Sequence, residues 1–283
     1  MTSAALVGGV ALGAWLGGRH VLARQAAAVR AVIGKPLGEQ PPYADRVWRK
    51  RYEGEPVELV LLGDSIAAGL GAERRKDTLG GRLARGLAKQ TRRPVRLRTV
   101  AVVGSESSAL PDQLVALPLT YRPDVAVVVV GGNDVTHRVP VGESVRHLVE
   151  TVEALRARGA EVVVGTCPDL GALQHVPQPL RGLGSRVSRQ LAEAQRDAAT
   201  AAGARAVSLR HVAGPFFVTN PDEMFSLDRF HPSGLGYKRT AQAMLPSVLH
   251  ALGQHDELPF GHHAPLRSLL LLALPAGWVS ARR

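Results

Sequence analysis

The amino-acid sequence predicts a three-layer α/β/α sandwich built on a central parallel sheet. Three observations carry this expectation. Short apolar runs rich in valine recur along the middle of the chain, at residues 57–62, 95–103, 125–130, 162–165 and 205–208. Most of them are continuous rather than alternating, as strands covered on both faces are. Stretches with helical spacing separate them, and repeated strand–helix units wind into a parallel sheet with right-handed crossovers. The chain has 283 residues, 45% apolar and 21% charged, enough for one large domain with flanking segments and unlike a disordered composition.

In chain order, the first feature is an uncharged apolar stretch at residues 4–18, AALVGGVALGAWLGG. It is shorter than the roughly 20 residues a membrane-spanning helix needs, unless Arg19 and His20 snorkel and the span continues through Val21 and Leu22. Residues 1–24 therefore read as a candidate membrane anchor, which would place the protein at a membrane or in the cell envelope. A cleaved leader, or a surface helix on a cytoplasmic protein, is the alternative. Arg19, Arg24 and Arg30 follow the apolar core instead of preceding it, the wrong order for a secretory leader. Residues 25–55, with Gly34, Pro36, Gly38, Pro41, Pro42 and Gly54, have the composition of a linker.

The main domain is expected over residues 56–252. Leu79, Leu83 and Leu87 are spaced by four, with Arg82, Arg85 and Lys89 on the opposite face. Val141, Val145, Leu148, Val152 and Leu155 form a second apolar stripe, which Gly159 would stop. Further helices are expected over about residues 183–202 and 233–252. Residues 253–283, with an apolar run at 269–274 and Trp278, form a tail too short to cross a bilayer and expected to pack on the domain.

Ligands of such sheets bind at the carboxyl ends of the strands, so the residues that follow each apolar run carry the chemistry. The first run ends in Gly63-Asp64-Ser65. A serine at that point lies at the sheet edge beside backbone N–H groups that stabilise negative charge, although a lone serine there also reads as a helix cap. The second run ends at Gly104 and the third in Gly131-Gly132-Asn133-Asp134. Asn133 offers side-chain N–H groups to the same crevice, or is an ordinary turn residue. Before the last helix stands Asp228-Arg229-Phe230-His231-Pro232. A carboxylate three residues from an imidazole can accept its N–H and leave the other ring nitrogen free as a base.

Other chemistry has less support. No second His, Cys or acid lies at ligand spacing on the His231 element, so no metal is expected. Cys167 is the lone cysteine, which excludes an intrachain disulfide, and it reads as a small buried apolar side chain. Ser105 and Ser107 are rival nucleophiles, and His137 is a candidate for the pocket mouth.

These four motifs, in this order, resemble the SGNH hydrolases, also called the GDSL esterase/lipase family. The resemblance covers roughly residues 56–252. Thr99 departs from it, where many members carry Asn five residues before the glycine that Gly104 matches. The resemblance implies the flavodoxin-like form of the predicted sandwich and a serine esterase that needs no cofactor. Ser65 would be the nucleophile, His231 its base and Asp228 the partner of His231. The oxyanion would meet the backbone N–H groups of Ser65 and Gly104 and the side chain of Asn133. Substrates would be lipid-like, acylated or acetylated esters, with pocket walls from the segments 105–120, 167–182 and 210–227. An acyltransferase using the same triad, or a non-catalytic envelope-binding protein, is the alternative. The intact triad argues against the latter, and the missing Gly-x-Ser-x-Gly elbow separates the chain from α/β-hydrolases.

The formal net charge is +11. Residues 72–98 carry ten basic and two acidic side chains, +8 of that total. The stretch has no aromatic residue for base stacking and no reading motif, so nucleic acid is not an expected partner. With an apolar N-terminus, its exposed helix face with Arg82, Arg85 and Lys89 points instead to an anionic membrane surface.

Overall fold

Continuous apolar runs become strands here because successive side chains of one strand enter two different cores. The computed structural model describes residues 17–29, 31, 38 and 40–266. Its sheet holds seven strands: β1 (Arg46–Trp48), β2 (Val57–Gly63), β3 (Val95–Thr99), β4 (Val125–Val129), β5 (Glu161–Gly165), β6 (Arg205–Val207) and β7 (His262–His263). Their order is β1-β3-β2-β4-β5-β6-β7. The inner five are parallel, and β1 and β7 close the two edges antiparallel.

The helices are α1 (residues 17–29), α2 (Ser65–Ala68), α3 (Leu79–Thr91), α4 (Leu110–Val115), α5 (Gly132–His137) and α6 (Val141–Ala157). They continue with α7 (Leu180–Ala201), α8 (Leu209–Val212), α9 (Gly214–Thr219), α10 (Pro221–Met224) and α11 (Gly234–Ala251). On one face of the sheet, Leu59, Leu61, Val125 and Val127 pack with Leu83 and Leu87 of α3 and Met244 and Val248 of α11. On the other face, Val60, Leu62, Ala126 and Val128 pack with Leu114 of α4, Leu148, Val152 and Leu155 of α6, and Ala199 of α7. Truncating one of these buried leucines to alanine costs roughly 2–5 kcal/mol, through lost burial and the cavity left behind.

Side-chain caps begin two of the helices that flank the site. Thr78 Oγ1 accepts the Gly81 N–H at 3.1 Å to begin α3. Ser233 Oγ accepts from Leu235 and Gly236, both at 3.1 Å, to begin α11.

Three differences from the sequence reading have physical causes. The sheet extends past residues 56–252 at both ends: β1 lies inside the segment read as a linker, and β7 inside the segment read as a tail. Strands of three and two residues are too short to show a period, and edge strands need little apolar content. The run 95–103 is strand only to Thr99, although the Val100 and Val102 N–H groups still bond the carbonyls of Leu61 and Gly63. Arg82 does not stand free on a charged face. Its guanidinium donates to Asp77 at 2.6 Å and to the Gly234 carbonyl at 3.2 Å, joining α3 to the start of α11.

The segment read as an anchor lies outside the described residues except for its C-terminal end, residues 17–24 at the start of α1. Among the described residues no helix is long and apolar enough to cross a membrane. Gln25 of α1 donates to the Gln178 carbonyl at 2.8 Å. The run 269–274 and Trp278 lie outside the described residues.

Candidate active site

Strand β2 delivers its last residue, Gly63, to the carboxyl edge of the sheet. Gly63 has φ +130°, and a Cβ there would lie 1.8 Å from the Val129 carbonyl oxygen, so no other residue fits this close passage. Gln113 clamps the same residue from the side. Its amide accepts the Gly63 N–H and donates to the Gly63 carbonyl, each at 2.8 Å. Asp64 then caps α2, accepting the Ile66 N–H at 2.9 Å. Ser65 is the first residue of α2, where backbone N–H groups have no intrahelical acceptor. Tyr237 of α11 fixes the exit of this turn by donating to the Leu70 carbonyl at 2.6 Å.

His231 and Asp228 come from the turn before α11, which is pinned by the Ser226 N–H bonding the His231 carbonyl at 2.8 Å. The three groups form a line. His231 Nε2 lies 2.9 Å from Ser65 Oγ, and His231 Nδ1 lies 2.6 Å from Asp228 Oδ2. Asp228 is fully buried, and its Oδ1 accepts from Ser226 Oγ and from the backbone N–H groups of Phe230 and His231. Burial alone would raise its pKa. Hydrogen bonds from the His231 ring and from the N–H groups of His231 and Phe230 outweigh that and hold the carboxyl well below the usual carboxylate range.

Asn133, on the first turn of α5, faces the pocket. Gly131 before it has φ +135°, and a Cβ there would meet the Cys167 Cβ at 2.9 Å. Asn133 Nδ2 donates to the Ser105 carbonyl at 2.9 Å, which fixes the amide plane while its second hydrogen stays available. Asp134 ties the surrounding loops together, accepting from Ser144 Oγ at 2.6 Å and from the Ser107 N–H.

The structure thus brings Ser65, His231, Asp228 and Asn133 to one place. Gly104 is not among the pocket-lining residues. It sits in the turn after β3, one residue before the Ser105 carbonyl that holds Asn133. Ser105 and Ser107 are buried and do not line the pocket; the Gln113 amide nitrogen lies 3.5 Å from Ser105 Oγ, and the Ser107 N–H bonds Asp134. His137 bonds Glu106 at 2.7 Å and does not line the pocket. Cys167 is buried in a small apolar cluster, and that burial pushes its thiol pKa well up. Of the segments expected to wall the pocket, those after β5 and β6 do so, whereas residues 105–120 do not.

Sequence reasoning missed Gln113 and Tyr237, whose partners lie 50 and 167 residues away and leave no local pattern. It also passed over Asp64 as more than part of a motif. Asp64 is 2% exposed, and burial pushes its pKa up to about 6, against the opposing pull of the Ile66 N–H, His231 and the Gly132 N–H. Among the described residues no group of three or more His, Cys, Asp or Glu side chains is placed to hold a metal ion.

A mixed sheet with five parallel inner strands and flanking helices, with a polar line of side chains at its carboxyl edge, defines an α/β/α sandwich with a candidate hydrolytic site. The family model for the GDSL-like Lipase/Acylhydrolase family matches residues 61–239. The chain is 40% identical over 265 residues to the GDSL-like esterase Rv1075c of Mycobacterium tuberculosis, an alignment covering 90% of this chain and 83% of that protein. The protein belongs to the GDSL-like lipase/acylhydrolase family, within the SGNH hydrolases, and is an esterase. Solved structures share the fold. A lipase/acylhydrolase from Enterococcus faecalis has TM-score 0.56 and 19% identity, covering 71% of this chain and 99% of that one. The acetylxylan esterase Axe2 from Geobacillus stearothermophilus has TM-score 0.55 and 18% identity, covering 72% and 97%.

Proposed function

We propose that the protein hydrolyses carboxylic esters through a Ser65–His231–Asp228 triad and an acyl-enzyme intermediate. The observation that carries this reading is the position of His231, within hydrogen-bonding reach of Ser65 Oγ at 2.9 Å and of Asp228 at 2.6 Å. Ser65 Oγ attacks the ester carbonyl while His231 Nε2 takes its proton. Asp228, already ionised, holds the ring in the tautomer that leaves Nε2 basic and stabilises the imidazolium that forms. The oxyanion is met by the Ser65 N–H, the Asn133 amide and the Gly104 N–H. His231 returns the proton to the departing alcohol. Water, deprotonated by the same nitrogen, then attacks the acyl carbon, and as the carboxylic acid leaves His231 returns that proton to Ser65 Oγ.

Ser65→Ala is the direct test. Hydrolysis of short p-nitrophenyl esters by the variant is expected to fall at least 10⁴-fold, of the order seen when a serine triad loses a member. A variant with wild-type activity refutes the assignment of the nucleophile.

A further inference from the structure

The pocket beside Ser65 offers very little to a polar substrate. Its large walls are Leu170, Leu209, Phe217, Phe225 and Phe230, and the small residues Ala172 and Ala213 leave the space between them. Apart from the groups at the reacting end, two lining side chains are polar, Asp169 and Thr240. Both are already engaged. Asp169 Oδ1 accepts from the Gly171 N–H and Ser185 Oγ, and its Oδ2 faces Arg210 at 3.3 Å. Thr240 Oγ1 spends its proton on the Gly236 carbonyl at 3.0 Å. A sugar with several hydroxyls placed here would exchange its water partners for at most a few spare lone pairs on Asp169 and Thr240, whereas methylene groups would gain burial.

Packing holds part of this lining in place. Leu209, Phe217 and Thr240 are all buried. Phe217 packs edge-on against Phe225 with ring centroids 5.0 Å apart. Next to it on α9, the Phe216 ring lies under the Arg239 guanidinium at 4.6 Å, holding α9 against α11. A buried apolar lining suits the part of the ester that remains on Ser65 between the two half-reactions. The alcohol must leave, and water must then reach His231, so neither is served by burial there.

We propose, on the basis of the serine mechanism above, that this enzyme prefers esters with an apolar acyl group longer than acetyl, and that Phe217 sets its length limit. Each methylene the pocket buries is worth roughly a fourfold gain in kcat/KM.

The experiment measures kcat/KM of the full chain on p-nitrophenyl esters from acetyl to dodecanoyl, with a second series of acetate esters in which the alcohol varies. The wild type is expected to climb from acetyl over several carbons and then fall. In Phe217→Ala, and in the milder Phe217→Leu, the fall should move to longer chains, raising the ratio of rates beyond the wild-type optimum to that at acetyl about tenfold. Ala172→Phe, which fills the pocket, should collapse that ratio. Thermal melts show that each variant is folded. A wild-type series that is flat or declines from acetyl overturns the proposal. So does a Phe217 variant that shifts alcohol preference instead of acyl preference. Ser65→Ala separates the two levels: if it is inactive while the acyl series is flat, the pocket inference fails and the nucleophile stands, and if it is active, the serine reading itself fails.

Discussion

Asp64→Asn removes a buried ionisable group beside Ser65 without removing the cap of α2. The native carboxyl is 2% exposed and its pKa is pushed up to about 6 from the ordinary 3.8. In the unfolded chain the group returns to about 3.9. The folded protein therefore holds this proton more tightly than the unfolded one. A raised carboxyl contributes stability that is complete below about pH 4 and is lost as pH rises through about 6. Roughly two pKa units correspond to about 3 kcal/mol. The amide does not titrate, and its oxygen can still accept the Ile66 N–H. Titrating groups remote from position 64 are common to both proteins and cancel in the difference, and the pull of His231 on Asp64 is already contained in the raised value. The stability of the variant relative to wild type should thus rise by about 3 kcal/mol between pH 4 and pH 7.5. For a domain of this size that is about 6–12 °C in Tm. Thermal melts of both proteins across this range at constant ionic strength provide the assay. A difference in Tm that does not change with pH, or that shrinks as pH rises, refutes the burial argument.

Two further outcomes probe the reacting groups. Asn133→Ala should lower kcat about 10²–10³-fold with little change in KM, because the amide is used when negative charge develops on the carbonyl oxygen; an effect confined to KM removes Asn133 from the oxyanion site. Asp228→Asn places an amide opposite His231 Nδ1 and favours the tautomer that protonates Nε2, so kcat should fall about 10⁴-fold while the melting curve still shows a folded protein. A loss below tenfold in steady-state kinetics contradicts the assigned role.

Much of this site is legible in the sequence because its parts are local. The Asp228 carboxylate reaches the His231 ring and two neighbouring N–H groups within three residues. Asp64 caps its own helix, and Gly63 and Gly131 mark positive-φ turns that follow buried strands. Valine runs of the right length announce β2, β4 and β5, since burial on both faces leaves an unbroken apolar signature. Ser65 and Asn133 share one edge because parallel strands bring their carboxyl ends together, and the turn before α11 then carries His231 to Ser65 across 166 residues.

Other features depend on contacts between distant segments and have no periodic trace. The edge strands β1 and β7 are too short to show a pattern and exist because a neighbouring backbone is present to pair with them. The clamp of Gln113 on Gly63, and the capture of Arg82 by Asp77, turn residues that read as loop and surface into supports of the site. The lining of the pocket is also a tertiary matter. Phe217 contributes to it from α9, buried beside Phe225, a position set by packing and not by the residue's own neighbourhood. The chain order of the motifs by itself determined the class of protein and its candidate catalytic groups. The folded structure decided which loops enclose the substrate and which charges are free, because those depend on side chains that meet only after the sheet has formed.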